Sequence, residues 1–344
     1  MTWRFVAADF DQMHQNHNID LILAHPDAEL VGVCDEQPET STGSLEDVIA
    51  KHALSEDIIF ETLDACLKNT DPDVIVGCPN NAKHPAFVER VASTDAHVIL
   101  EKPLAMDLDG ADRMIAAMAD SAGELLVSWP TMADPAMHTV KSLIDDGIIG
   151  DIIETQFYGG NAGAPPLDSW FYDASAGGGS LLDYLCYGAT FTTWFRGGEL
   201  PESVSTQTYI PADLDVDVQS ATVANYPDGL GTYQTSWRMF THPWEHEPQP
   251  NKGYTIVGTD GTISTQNRNA PIVVQTAEHP DGTTVEPEPI EDRFGDIIAY
   301  VIDMLERDGT PTGPPAASFS REAQRLIEAA RQSSMTDSVV ELPE

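Results

Sequence analysis

The first 130 residues alternate between two apolar patterns, and that alternation limits the fold more than any other feature of the chain. Short, continuously apolar runs at 3–8 (WRFVAA), 28–35 (AELVGVCD), 73–79 (DVIVGCP), 97–103 (HVILEKP) and 124–130 (ELLVSWP) read as strands. Stretches of helical character separate them at 13–27, 44–53, 84–94 and 108–123, and 57–73 reads as a short strand followed by a helix. Strands apolar on both faces belong to a sheet covered on both sides. Strand–helix alternation at this spacing builds βαβ units on a parallel sheet. Local signals agree: an acidic first turn opens 44–53, Pro85 stands near the start of 84–94, and Gly123 closes 108–123. The expected first unit is a doubly wound parallel-sheet domain over residues 1–124.

The pattern then changes. One more helix is expected at 135–150, followed by longer alternating runs at 151–160, 203–210, 218–226, 230–237, 254–258 and 262–266. Their punctuation, YPDG at 226–229 and GTDGT at 258–262, is that of hairpins. Helices are expected at 294–309 and 321–334. This predicts an α/β chain whose second unit, 125–344, is an α+β domain on an open, mainly antiparallel sheet. The segment 242–253, with three prolines, reads as irregular.

Charge narrows the partners. There are 56 acidic residues against 17 basic ones, a formal charge of −39, and only six of the basic residues are Lys. The acids are spread through periodic apolar sequence, so they read as a solvated acidic surface on a folded core. Such a surface repels itself unless cations screen it, which reads as salt adaptation, and it disfavours nucleic acid and anionic membrane as partners, so neither is expected. The four cysteines have no CxxC pair, so neither a disulfide framework nor a zinc site is expected. No apolar run reaches the length of a membrane span and no signal-peptide pattern opens the chain, so a cytoplasmic protein is expected. His242-x-x-Glu245-His246 has the form of a metal motif, but its prolines oppose the helix that motif needs. Asp213, Asp215 and Asp217 imitate a calcium loop without its glycine or terminal Glu, and read instead as a strand with acids outward. No metal is expected.

Ligands of doubly wound sheets bind at the carboxyl ends of the strands. Asp35 closes the second strand, where a carboxylate accepts both hydroxyls of an adenosine ribose and repels a 2′-phosphate. With Glu36 next and no Arg beside it in sequence, this favours NAD over NADP. Lys102 stands in a strand-end turn between Glu101 and Pro103 and can point its ammonium into the cleft. In AGGGSLLDYLCYGAT (176–190), Asp183 and Tyr187 are four apart and share one helical face. With a lysine nearby they form a proton-transfer set; a core tyrosine bonded to a carboxylate for packing is the open alternative. Trp129, Asn161 and Trp170 flank the presumed cleft as substrate-wall candidates, with plain packing the alternative for the tryptophans. The first strand is followed by ADFDQMH, with no glycine before Gly32. A helix N-terminus offers N–H donors without glycine, so Phe10, Gln12 and Met13 are the expected pyrophosphate residues.

Together CPNNAKHP, AHVILEKPLA, KSLIDDGIIGDI, GGGSLLDYLCYGA and YTIVGTDGTI resemble the glucose–fructose oxidoreductase / inositol dehydrogenase / MocA (Gfo/Idh/MocA) family over nearly the whole chain. The resemblance implies an N-terminal Rossmann domain, a C-terminal open-sheet domain, a nicotinamide cofactor and a sugar or polyol substrate. It implies that Pro79, Asn80 and His84 line the nicotinamide side, that Lys102 is catalytic with Glu101 beside it, and that Asp183 contacts substrate. Tyr187 replaces the usual histidine, as in some sugar-oxidising members. Two departures stand out: Leu185 replaces a glycine, and the GxGxxG loop is missing. For Tyr187 to act as acid/base near neutrality its pKa must fall from about 10, and Lys102 is expected to lower it. The open sheet implies a homodimer or homotetramer. The alternative from another class is a non-catalytic nucleotide- or sugar-binding sensor on the same fold.

Overall fold

The computed structural model describes residues 2–160, 165–237, 252–265 and 271–343. Its first sheet has six parallel strands: β1 (Trp3–Ala8), β2 (Ala28–Cys34), β3 (Ile59–Phe60), β4 (Val74–Gly77), β5 (His97–Glu101) and β6 (Leu125–Ser128). Their spatial order is β3-β2-β1-β4-β5-β6, so the order reverses between β1 and β4. Helices α1 (His14–Ala24), α2 (Leu45–His52), α3 (Leu63–Thr70), α4 (His84–Val91) and α5 (Leu108–Met118) cover the two faces. Alternation within one strand explains the unbroken apolar runs: Phe5 and Ala7 enter one core, Val6 and Ala8 the other. The helix starts are local in origin. Ser44, Thr62 and Asp107 each accept a hydrogen bond from a first-turn N–H of α2, α3 and α5. Because β6 pairs with β5, the first sheet runs on to Ser128, four residues past the expected boundary.

The second sheet has nine strands. They are β7 (Ile152–Gly160), β8 (Ser203–Tyr209), β9 (Gln219–Tyr226), β10 (Gly229–Ser236), β11 (Lys252–Gly258), β12 (Gly261–Thr265), β13 (Ile272–Thr276), β14 (Thr283–Val285) and β15 (Val340–Glu341). The order is β14-β13-β12-β11-β7-β10-β9-β8-β15, antiparallel except for β7 beside β10. Both foreseen hairpins form, β9–β10 across Pro227–Asp228 and β11–β12 across Thr259–Asp260. The short strands β13 to β15 were not foreseen. Helices α7 (Ser180–Phe195) and α9 (Ala317–Thr336) share one core with the inner side of the sheet, where Phe157, Tyr233 and Tyr254 meet Phe191, Phe195 and Leu326. Helix α6 (Pro135–Asp145) ends five residues before Gly150, and α9 begins four residues earlier than expected. Helix α8 (Ile297–Glu306) returns to the first domain, with Ile298 and Val301 in the core of Phe5, Ile99 and Leu126. Among the described residues no helix is long and apolar enough to cross a membrane. Most of the proline-rich segment, 242–251 with His242, Glu245 and His246, lies outside the described residues; Lys252 and Gly253 open β11.

Candidate active site

Glu101 ends β5 and Lys102 follows, joined to Pro103 by a cis peptide bond. The Lys102 side chain is 5% exposed and reaches α7, where its Nζ donates to Asp183 Oδ1 at 2.5 Å and to the Asp183 carbonyl at 3.2 Å. Burial opposes the ammonium, but Asp183 outweighs it and holds the Lys102 pKa well above its usual value. The chain turns into α7 through the three glycines. Gly179 has φ +109, and a Cβ there would stand 2.6 Å from Asp217 Oδ1. Asp217 accepts from Ser180 Oγ at 2.6 Å and from the Leu181 N–H at 2.8 Å, so it holds the first turn of α7. This corrects the outward reading of Asp217: 213–217 is not a strand, and burial pushes its carboxyl up to about 6.

The other Asp183 oxygen, Oδ2, accepts the indole N–H of Trp237 at 2.9 Å. Trp237 was missed in the sequence because no local spacing links it to a residue 54 positions earlier. Tyr187 lies one turn below Asp183, with Lys102 Nζ 5.0 Å and Lys252 Nζ 4.1 Å from its ring centroid. It is 4% exposed, and Trp129 meets its ring edge-on at 5.4 Å. Burial pushes its phenol well above the usual range; Lys102 opposes this but is outweighed. The expected lowering is therefore reversed, and Tyr187 stays a neutral phenol. Leu185, the substituted glycine, is fully buried in the core under α7.

The glycine-free loop is held by its own side chains. Phe10 is fully buried among Phe5, Ile19 and Val33, so it is a core residue and does not face a ligand. The Gln12 N–H donates to the Cys78 carbonyl at 3.0 Å, which removes it as a pyrophosphate donor. Asp11 is buried and accepts from the Asn80 N–H (2.9 Å) and Lys83 Nζ (2.7 Å). Its carbonyl takes Thr42 Oγ1 at 2.6 Å and Trp170 Nε1 at 2.7 Å. Asp9 has φ +60, and burial, reinforced by Asp11, pushes its carboxyl up to about 7. Met13 is exposed at the start of α1, where no side chain caps the first turn, which leaves a helix N-terminus open to an anion.

Asp35 stands just past β2 as expected. Its carboxylate takes Ser41 Oγ at 3.0 Å and the Gln37 N–H at 3.2 Å. Glu36 instead turns away to Arg90 (2.7 and 3.0 Å), so an arginine absent from the neighbouring sequence is present in space and already paired. Pro79 and Asn80 are buried where β4 ends, and Asn80 Oδ1 has no partner among the described residues. His84 is fully buried, with its ring nitrogens 3.0 Å from the Leu104 carbonyl and 3.2 Å from that of Pro79. Burial lowers its pKa. The neutral ring donates to one of these carbonyls through its single N–H, and the buried imidazole does not line the cleft. Glu101 is buried 3.3 Å from His14 Nδ1. Burial opposes its charge, but His14 and Lys102 hold its carboxyl below the usual range, and Glu101 raises His14 in return.

Of the expected substrate walls, Trp129 is a packing residue: it is 4% exposed and donates to Ser320 Oγ at 3.1 Å. Its other side borders a cavity of about 360 Å³ with His14, Glu101 and Tyr300. Trp170 is partly buried, stacked on Phe171 at 4.1 Å, and donates to the Asp11 carbonyl in the loop after β1, away from Tyr187. Asn161 lies outside the described residues. The residues present fit a dinucleotide: a carboxylate past β2, an uncapped helix start after β1, and a buried, unpartnered acceptor on Asn80 at the end of β4.

Two family models match in tandem. Residues 10–128 match the oxidoreductase family with an NAD-binding Rossmann fold, and residues 137–264 match the GFO/IDH/MocA C-terminal domain. Inositol 2-dehydrogenase of Rhizobium meliloti is 24% identical over 83% of this chain and 82% of its own length. A dTDP-3,4-didehydro-2,6-dideoxy-alpha-D-glucose 3-reductase of Streptomyces violaceoruber is 25% identical over 81% and 79%. Among solved structures, the aldose-aldose oxidoreductase of Caulobacter crescentus superposes with a TM-score of 0.84 over 99% of this chain and all of that one, at 18% identity. With both halves matched in order and the fold shared end to end, the chain belongs to the Gfo/Idh/MocA oxidoreductase family.

Proposed function

We propose that the chain is an NAD-dependent dehydrogenase that moves a hydride between nicotinamide and a hydroxyl-bearing carbon of a sugar or polyol. The carrying observation is the buried Lys102–Asp183 pair, which brings the end of β5 against the first turns of α7. Relatives named for inositol and for a deoxysugar support the substrate class. Bound nicotinamide supplies the hydride acceptor or donor at its C4. Lys102 donates a hydrogen bond to the reacting oxygen and stabilises negative charge there. Tyr187, a neutral phenol, gives its proton to the reacting oxygen in the reducing direction and is reprotonated from solvent; in the oxidising direction it accepts the alcohol proton only from its tyrosinate form, which the Lys102 and Lys252 ammoniums beside its ring favour. Asp183 holds Lys102 in place. Asp35 receives the adenosine ribose and disfavours a 2′-phosphate, which makes NADP the weaker cofactor. Met13 and the first turn of α1 face the pyrophosphate.

The test is titration with NAD+ and NADP+ in molar KCl, followed by a screen of sugars and polyols for absorbance of reduced nicotinamide. NAD+ should bind more tightly. Its affinity should weaken as pH rises through about 7, because Asp9 is neutral below that value and charged above it, beside an anionic pyrophosphate. Failure of both nucleotides to bind overturns the reading.

We further infer a cytoplasmic, salt-adapted oligomer: the net charge of −39 supports salt adaptation, and the outer face of the second sheet supports association. A cross-strand row of Ser205, Val223, Thr232, Gln156, Thr255 and Ser264 carries no charge in a chain of net charge −39. Two copies of so acidic a chain approach most easily where neither presents a carboxylate. Val223, 48% exposed and second in that row, is the point to test. Val223→Glu should shift the mass by light scattering to the monomer while the unfolding midpoint of the subunit stays close to wild type. An unchanged mass assigns the face to solvent.

A further inference from the structure

Asp183 is held from two sides. Oδ1 takes the Lys102 ammonium, and Oδ2 takes the Trp237 indole N–H. The indole is itself fixed: Trp237 is 1% exposed, its backbone N–H donates to the Val218 carbonyl at 3.0 Å, and its ring packs against Tyr172 at 5.1 Å and Phe171 at 6.3 Å. An ammonium has three N–H donors. Lys102 directs two of them to Asp183, one to Oδ1 and one to the main-chain carbonyl, which leaves the third for a reacting oxygen. A carboxylate free to turn about its χ2 would bring Oδ2 to that third donor and compete with substrate for it. The indole N–H occupies Oδ2 and prevents this.

We propose that Trp237 is a positioning residue for the reaction: by holding Asp183 Oδ2 it fixes the carboxylate and keeps one Lys102 N–H aimed at the substrate oxygen. This rests on the reading of Lys102 as the group that touches that oxygen. The inference reaches across the fold, because the residue sits just past the end of β10 and contacts neither Lys102 nor Tyr187 in any ion pair or ring contact described for them.

The test replaces Trp237 by Phe, which keeps an aromatic ring and removes the donor, and in parallel by benzothienylalanine, which keeps the bicyclic shape and lacks the N–H. Hydrogen bonds to charged groups contribute enough that kcat should fall about 10- to 100-fold in both. KM for substrate and the NAD+ dissociation constant should stay within about twofold, because uniform binding is untouched. A packing role alone would spare the benzothienyl protein, so wild-type kcat in that protein overturns the proposal even if Trp237→Phe does not fold. Lys102→Met, assayed beside them, separates the two readings. If Lys102→Met is inactive and the benzothienyl protein keeps full kcat, only the Trp237 assignment falls. If Lys102→Met turns over normally, the reading of the site falls with it.

Discussion

Lys102→Met should lower kcat by about a thousandfold while NAD+ binding is retained, measured by steady-state rates and by nucleotide titration of the same protein. The magnitude is that of removing one preorganised charged donor together with its help in proton transfer. Met keeps the length and most of the apolar stem, so the passage from β5 to the 102–103 turn survives. Binding should persist because the ammonium points at α7 and is bonded to Asp183, whereas the loop after β1 is organised by Asp11, Asn80 and Lys83. Loss of NAD+ affinity in step with kcat would make Lys102 a cofactor residue instead. Full turnover would place the chemistry elsewhere in the cleft. Tyr187 does not replace Lys102, since a phenol kept neutral by burial brings no positive charge to the reacting oxygen, even with Lys252 Nζ 4.1 Å from its ring centroid.

Much of this architecture was legible because it is written in local patterns. Strands buried on both faces must be continuously apolar, so β1, β2, β4 and β5 stand out, and the two hairpins announce themselves through Pro-Asp-Gly and Asp-Gly turns. Lys102 and Asp183 were legible for a different reason: a strand-end turn and a glycine-rich helix start are recognisable motifs. What failed was whatever depends on distant residues. Phe10 read as a loop residue because its neighbours are polar, yet α1 and β2 enclose it. His84 was expected on the nicotinamide side from the family resemblance, and only tertiary packing shows its buried ring set between two backbone carbonyls, one of which its single N–H can reach. Arg90 reaches Glu36 across 54 positions, and Trp237 reaches Asp183 across 54 as well. The phenol of Tyr187 was misjudged because one nearby cation is visible in sequence while the desolvation that outweighs it is not.

Asp183→Ala should destabilise the fold by about 3 kcal/mol near neutral pH, a cost set by leaving a buried charge without its partner. Lys102 is 5% exposed and Asp183 17% exposed, so the pair is largely shielded from water. In the wild type, Asp183 raises the Lys102 pKa above its unfolded value, so the stabilisation is fully present below the usual lysine range and is lost only as pH rises through the higher folded value. Without Asp183 the largest remaining influence is burial, which lowers the Lys102 pKa, while Tyr187 and Cys186 oppose it. The sign then inverts: the ammonium costs stability at low pH, and the deficit shrinks as pH rises toward 10. Denaturant melts of wild type and Asp183→Ala at pH 7 and pH 9.5 should therefore show a gap that narrows at the higher pH. The double variant Lys102→Met/Asp183→Asn removes both charges and leaves an amide oxygen for the Trp237 N–H, so it should recover most of the lost stability while remaining inactive. A gap that is the same at both pH values, or a double variant no more stable than Asp183→Ala, would mean that the loss comes from the geometry of the α7 turn and not from the unpaired ammonium.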